Sequence, residues 1–180
     1  MKTALLVIDM QRALCTGDEA AFDIERVTER INGLSARARA AGVPVVLVQH
    51  EEGEGALQFG CAGWQLADGL ATAASDLRVR KTTPNSFHRT ELQGLLQARG
   101  VDRLVVCGLQ SDYCVDTTVR QALALGYAVA LAADAHSTVD NAVLSAARIT
   151  GHHNATLAHL SSFGPRVTVA PASELALEVP

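Results

Sequence analysis

The chain has 180 residues, 48% of them hydrophobic and 19% charged, enough to bury a sizeable core in a single domain spanning residues 1–180. A formal net charge of -4 gives no electrostatic reason to bind nucleic acid or an anionic membrane and leaves small neutral or cationic molecules as partners. No segment approaches the roughly 20 continuous apolar residues of a membrane span.

Residues 3–9 read as a buried strand, Ala4-Leu5-Leu6-Val7-Ile8 closing on Asp9. The N-terminus lacks the pattern of a signal peptide, so the expected location is the cytoplasm. The following Met10-Gln11-Arg12-Ala13-Leu14 contains no glycine-rich phosphate loop, which makes a doubly wound nucleotide-binding domain a poor alternative. A helical pattern over 23–41 stops at Gly42, and a second strand covers 44–49. Residues 51–75 hold five glycines and the only tryptophan, Trp64, and read as a binding loop, a lid or a surface excursion with one short helix. A third strand, 77–81, ends on Lys81. Helix 90–99 stops at Gly100, strand 103–108 runs into helix 113–125, and Gly126 stops that helix before strand 128–133. Helix 139–150 and strand 166–169 complete the alternation. Apolar strands separated by helices predict a three-layer α/β/α domain with a mainly parallel six-stranded sheet.

Cys114 falls on the predicted first turn of a helix, where unpaired N–H groups and the positive end of the macrodipole favour thiolate. A thiolate nucleophile also needs a base and a cation. Asp9 projects from the tip of the first strand, the edge at which open parallel sheets present ligand-contacting groups. Lys81 is one of only two lysines in a chain that otherwise uses arginine, and an ammonium is a compact, titratable charge where guanidinium is not. Cys15, Cys61, Cys107 and Cys114 are too irregularly spaced for a disulfide framework or a Cys-x-x-Cys metal site, so all four are expected reduced. Cys15 and Cys61 read as inert.

With these residues in place the chain resembles the isochorismatase-like superfamily of cysteine hydrolases, which includes nicotinamidases and carbamoyl-amine amidohydrolases. Val7-Ile8-Asp9-Met10-Gln11 is similar to its first-strand motif, Lys81 with Ser86-Phe87 to its lysine motif, and Gly108 through Thr118 to its nucleophile motif; Gly126-Tyr127 and Asp134-Ala135 continue the match. The resemblance implies an Asp9-Lys81-Cys114 triad and a cis peptide between Leu109 and Gln110, with the Gln110 and Cys114 N–H groups aimed at a developing oxyanion. It also implies a homo-oligomer, dimer or tetramer, and cleavage of a non-peptide amide, ureido or carbamoyl C–N bond through a thioester on Cys114. Redox sensing by Cys114 and a non-catalytic binding role are the alternatives. Isochorismatases that cleave a vinyl ether lack the cysteine, which argues against ether hydrolysis here.

Metal-dependent nicotinamidases of this superfamily carry Asp-x-His after the second strand. This chain has Val48-Gln49-His50-Glu51-Glu52, so neither a metal nor any other cofactor is expected. His50, Gln11, Trp64, Phe87 and His136 are candidate substrate contacts. For each, a structural role stands beside the functional one: hydrogen bonding for His50 and His136, loop bracing for Gln11, core packing for the aromatics. Asp134 reads as a brace, and His152, His153 and His159 as a polar surface at a helix start.

Overall fold

All six residues of strand β1 (Thr3–Ile8) are buried, and their side chains divide between two cores as the pleat requires. Leu5 and Val7 join a cluster with Val27, Ile31, Leu34 and Ala38, the inward stripe of helix α2 (Ile24–Ala40). Ala4, Leu6 and Ile8 join a second cluster, which also contains Leu92 and Leu96 of α3 (Leu92–Gln97) and Val119, Ala122 and Leu123 of α4 (Asp116–Ala124). The sheet is therefore covered on both faces, giving three layers. This is a computed structural model, and it describes residues 1–177.

The remaining elements are α1 (Arg12–Cys15), β2 (Val45–His50), β3 (Leu77–Lys81), β4 (Arg103–Leu109), β5 (Ala128–Ser137), α5 (Ala146–Ala158) and β6 (Val167–Ala170). The strands lie in the order β3-β2-β1-β4-β5-β6, every neighbouring pair parallel. Chain order reverses between β1 and β4, and at such a switch point the loops leaving the carboxyl ends of the strands diverge and open a crevice. Asp9 follows β1, Lys81 ends β3 and Cys114 follows β4, so all three arrive at this edge.

At that edge β4 and β1 approach closely. Gly108 has φ +113°, and a Cβ there would lie 2.1 Å from the Ile8 carbonyl oxygen. Gly108→Ala is therefore expected to lower stability by more than about 3 kcal/mol, since Gly108 is paired with Ile8 of β1 on one side and His136 of β5 on the other and has no room to retreat. An unfolding curve superimposable on that of the wild type would contradict this.

Two expectations need correction. β5 runs beyond residue 133 to Ser137: a register irregularity opposite β4 between Val106 and Gly108 lets it bulge near Asp134 and resume pairing, with His136 beside Gly108. The predicted helix over 139–150 lies instead at 146–158. Asn141 Oδ1 accepts the Val143 and Leu144 N–H groups at 2.9 and 2.8 Å, and Asp140 Oδ1 accepts the Ala146 N–H at 2.8 Å. These side chains turn the backbone away from helix until Ala146. His152 and His153 therefore sit within α5 and His159 at its C-terminal end, not at a helix start. The four cysteines are free. Among the described residues no helix is long and apolar enough to cross a membrane.

Candidate active site

Lys81 is the centre of the site. Its side chain is fully buried, and Nζ donates to Asp9 Oδ2 at 2.7 Å and to Cys114 Sγ at 3.1 Å. His50 Nδ1 lies 3.2 Å from the same nitrogen. An ammonium has three protons and no lone pair, so Nδ1 is an acceptor and the His50 proton sits on Nε2. Burial, then the neighbouring Lys81 charge, lowers the His50 pKa from its ordinary value, which keeps the ring neutral.

The backbone aims these groups. Asp9 has φ 52° and turns its carboxylate off the strand axis; Oδ1 is buried with no hydrogen-bond partner. The Leu109–Gln110 peptide is cis, and Ser111–Val115 form a π-helical turn leading into α4. In that turn the Gln110 carbonyl accepts N–H groups from Tyr113 and Val115, at 3.2 and 3.1 Å. The widened turn skips the Cys114 N–H, which an α-helical turn would have joined to Gln110. Thr118 ties α4 to the segment after β3: its Oγ1 accepts the Ser86 N–H at 3.1 Å and donates to Ser86 Oγ at 2.9 Å.

The expectation that the helix start would favour thiolate at Cys114 is overturned. Burial pushes the thiol up to about 12, the Asp9 carboxylate adds to this, and Lys81 only partly opposes it. In the free protein Cys114 is a neutral thiol beside an unpartnered carboxylate oxygen. Oxygen, nitrogen and sulfur atoms of Asp9, His50 and Cys114 lie within 4.8 Å of one another and could in principle ligate a metal. The Lys81 ammonium contacts all three residues, so it already supplies the cation that this donor set surrounds.

Asp9, His50, Gln110 and Cys114 line a cavity of about 260 Å³, with Leu14, Leu57, Pro84 and Tyr113 as its apolar walls and Glu52 as a further charged group. The sequence reading missed the apolar walls and Glu52. Pro84 and Tyr113 were the discoverable ones, since each lies within three residues of a catalytic candidate.

Four predicted contacts lie elsewhere. Gln11 is fully buried, and its amide is spent on backbone: Nε2 donates to the carbonyls of His50 and Trp64, and Oε1 accepts the His50 N–H. It clamps the 51–75 segment to the β1 tip. Trp64 packs edge-on against Phe59 with ring centroids 4.8 Å apart, and Phe87 stacks on Tyr127 at 5.9 Å; both aromatics are packing residues.

His136 is the fourth. It is 2% exposed and lies behind the Ser111–Val115 turn, with Nε2 2.9 Å from Asn154 Oδ1 and Nδ1 2.8 Å from Ser111 Oγ. Asn154 Nδ2 donates to the Ala133 carbonyl, so Oδ1 must accept from His136 Nε2, and the Ser111 hydroxyl donates to Nδ1. The ring thus braces the residue that follows Gln110. Burial holds its pKa down to about 4. The unfolded chain binds this proton near the ordinary value of about 6.5, so stability should be complete above that pH and decline by about 3 kcal/mol as pH falls towards 4. Urea midpoints measured across this range should show the slope in the wild type and a shallower one in His136→Asn. Asp134 is the brace expected of it, accepting the Ala172 N–H at 2.7 Å. His153 Nδ1 lies 3.1 Å from Asp116 Oδ1 and links α5 to α4.

Comparison with known proteins identifies the family. An isochorismatase domain matches residues 3–170. A streptothricin hydrolase of Streptomyces noursei is 44% identical over 138 residues, 76% of this chain and 50% of that protein. The ureidoacrylate amidohydrolase RutB of Caulobacter vibrioides is 30% identical over 162 residues, 69% of this chain and 72% of that one. The chain thus spans about half the length of the streptothricin hydrolases it matches. A crystal structure of an isochorismatase family protein superimposes with a TM-score of 0.86 at 37% identity, covering 94% of this chain and 98% of that one. By domain match, relatives and fold together, the chain belongs to the isochorismatase family.

Proposed function

We propose that this protein is a cysteine hydrolase that cleaves a non-peptide C–N bond, amide, ureido or carbamoyl, in a small molecule. The observation that carries the reading is a single buried ammonium touching both Asp9 and Cys114 behind the wall of a cavity of molecular size. The names of the relatives, a streptothricin hydrolase and a ureidoacrylate amidohydrolase, agree with hydrolysis and with amide-type chemistry.

The roles follow from the protonation states. Asp9 takes the thiol proton as Cys114 Sγ attacks the carbonyl carbon, so no free thiolate has to persist in the resting enzyme. Lys81 holds the carboxylate and sulfur together and stabilises negative charge on either. The tetrahedral anion forms against the Gln110 and Cys114 N–H groups, donors of a kind typically worth about 3 kcal/mol each. Collapse expels the amine, which leaves with the proton held by Asp9, and a thioester remains on Cys114. Water, deprotonated by Asp9, hydrolyses the thioester and restores the thiol.

Redox sensing has less support, because a thiol held near 12 supplies little of the thiolate that attacks peroxide. The test is an ammonia-release screen over nicotinamide, carbamoyl amines, ureido acids and lactams, with product mass detection for lactams, which open without releasing ammonia. Turnover that vanishes in Cys114→Ala supports the proposal; equal turnover in that variant ends it.

A further inference from the structure

Of the two carboxylates that line the nucleophile cavity, Asp9 and the half-exposed Glu52, only Asp9 has a lysine or arginine partner among the described residues. Asp9 is matched by Lys81. Glu51, on the same loop, is held by Arg80 through two contacts of 2.7 and 3.0 Å. Glu52 lines the cavity, and among the described residues no lysine or arginine pairs with it. Its nearest basic group is His50 Nε2 at 3.9 Å, on a ring kept neutral by burial and Lys81. No lysine or arginine lines the cavity wall, and the Lys81 ammonium lies fully buried behind it.

The same sign continues outward. Leu14 and Gln110 are shared with a second cavity of about 640 Å³, whose wall carries Asp18, Glu19 and Asp140 and again no lysine or arginine. A molecule with its carbonyl carbon at Cys114 therefore shares its cavity with Glu52, and a chain leading out past Leu14 and Gln110 enters a compartment whose charged side chains are all acidic. Such a compartment concentrates cations and rejects anions, and a carboxylate on the substrate would meet repulsion with nothing to pair it.

We propose that Glu52 is a specificity-determining residue that selects substrates bearing a positively charged amine beyond the scissile C–N bond, and that ureido acids and other carboxylate-bearing amides are disfavoured. This rests on the cysteine hydrolase reading for its reaction, but the charge preference can be measured without turnover.

The experiment compares 2-aminoethyl, methyl and 2-sulfonatoethyl methanethiosulfonates, which are cationic, neutral and anionic. Each gives the same chemistry: the Cys114 sulfur forms a disulfide with the reagent's sulfenyl sulfur and methanesulfinate leaves. Modification of Cys114 is followed by mass spectrometry, and each rate is divided by that reagent's rate with a free small-molecule thiol. The expected result is a normalised preference of about tenfold or more for the cationic over the anionic reagent, weakened by salt and reduced several-fold in Glu52→Gln. A ratio near one, a reversed ratio, or a ratio that Glu52→Gln leaves unchanged would overturn the proposal. A second arm compares turnover of 4-ureidobutylamine, pentylurea and 4-ureidobutyrate, a series equal in length and differing in charge. Faster Cys114-dependent cleavage of the anion than of the cation would also overturn it. Turnover insensitive to Cys114→Ala would instead defeat the hydrolase reading and leave the thiosulfonate result standing.

Discussion

Cys114→Ala should lower kcat by about 10⁴-fold or more while changing stability by only about 1 kcal/mol, because the substitution removes the nucleophile and a few contacts from a half-buried position. Asp9→Asn should be comparably inactive for a different reason, and one measurement separates the two roles. The Asp9 carboxylate helps push the Cys114 thiol up to about 12, against the pull of Lys81. With a neutral asparagine at position 9, Lys81 acts unopposed and the thiolate becomes easier to form. Iodoacetamide should therefore label Cys114 in Asp9→Asn faster than in the wild type at pH 8, by about tenfold for each unit that the thiol pKa falls, although turnover is lost. A carboxylate that served only to activate the thiol electrostatically would change labelling and turnover in the same direction. Labelling slower in Asp9→Asn than in the wild type would refute the claim that the Asp9 carboxylate raises the Cys114 thiol pKa.

Lys81→Met should be the most destabilising side-chain change at the site. The Lys81–Asp9 contact is 2.7 Å with both side chains at most 1% exposed, and removing the ammonium strands a carboxylate whose other oxygen already lacks a partner. Breaking one half of such a pair costs about 3–5 kcal/mol, mostly for the uncompensated buried charge. The double variant Asp9→Asn/Lys81→Met removes both charges and should recover much of that loss without recovering activity. Urea denaturation of the wild type, both single variants and the double variant measures this. A loss below about 1 kcal/mol in Lys81→Met would mean that water reaches the carboxylate and that the pair is not buried in solution.

The accuracy of the sequence reading followed the distance over which each feature is determined. β1, β2 and β4 are apolar runs buried on both faces, and no other element type accommodates them so well. Helices α2 and α4 end before Gly42 and Gly126, with φ 71° and 89°, the positions from which the boundaries were read. The first half of α5 was misplaced because the apolar spacing of residues 139–145 suits a helix, whereas Asp140 and Asn141 bond their own backbone and hold a turn. That competition depends on side-chain geometry, which periodicity does not report.

The site divides in the same way. Asp9, Lys81 and Cys114 were legible because each closes a strand or opens a helix inside a motif. Gln11, Trp64, Phe87 and His136 sit beside those motifs, yet their side chains turn to backbone or core, and proximity in sequence was a poor guide to direction. The cavity walls come from the α1, 51–75, β3 and β4 connections, so no local pattern contains them.

By itself the sequence determined an all-covered parallel sheet and the three chemical groups delivered to its edge, because burial period and strand-end position are local properties of the chain. Only the tertiary structure decided the protonation of Cys114, the neutral state of His50 and the unpaired charge of Glu52. The first two depend on desolvation and on charges brought within a few ångströms by segments tens of residues apart, and the third on which side chains the fold leaves beside an exposed carboxylate; none of these juxtapositions exists until the chain has folded.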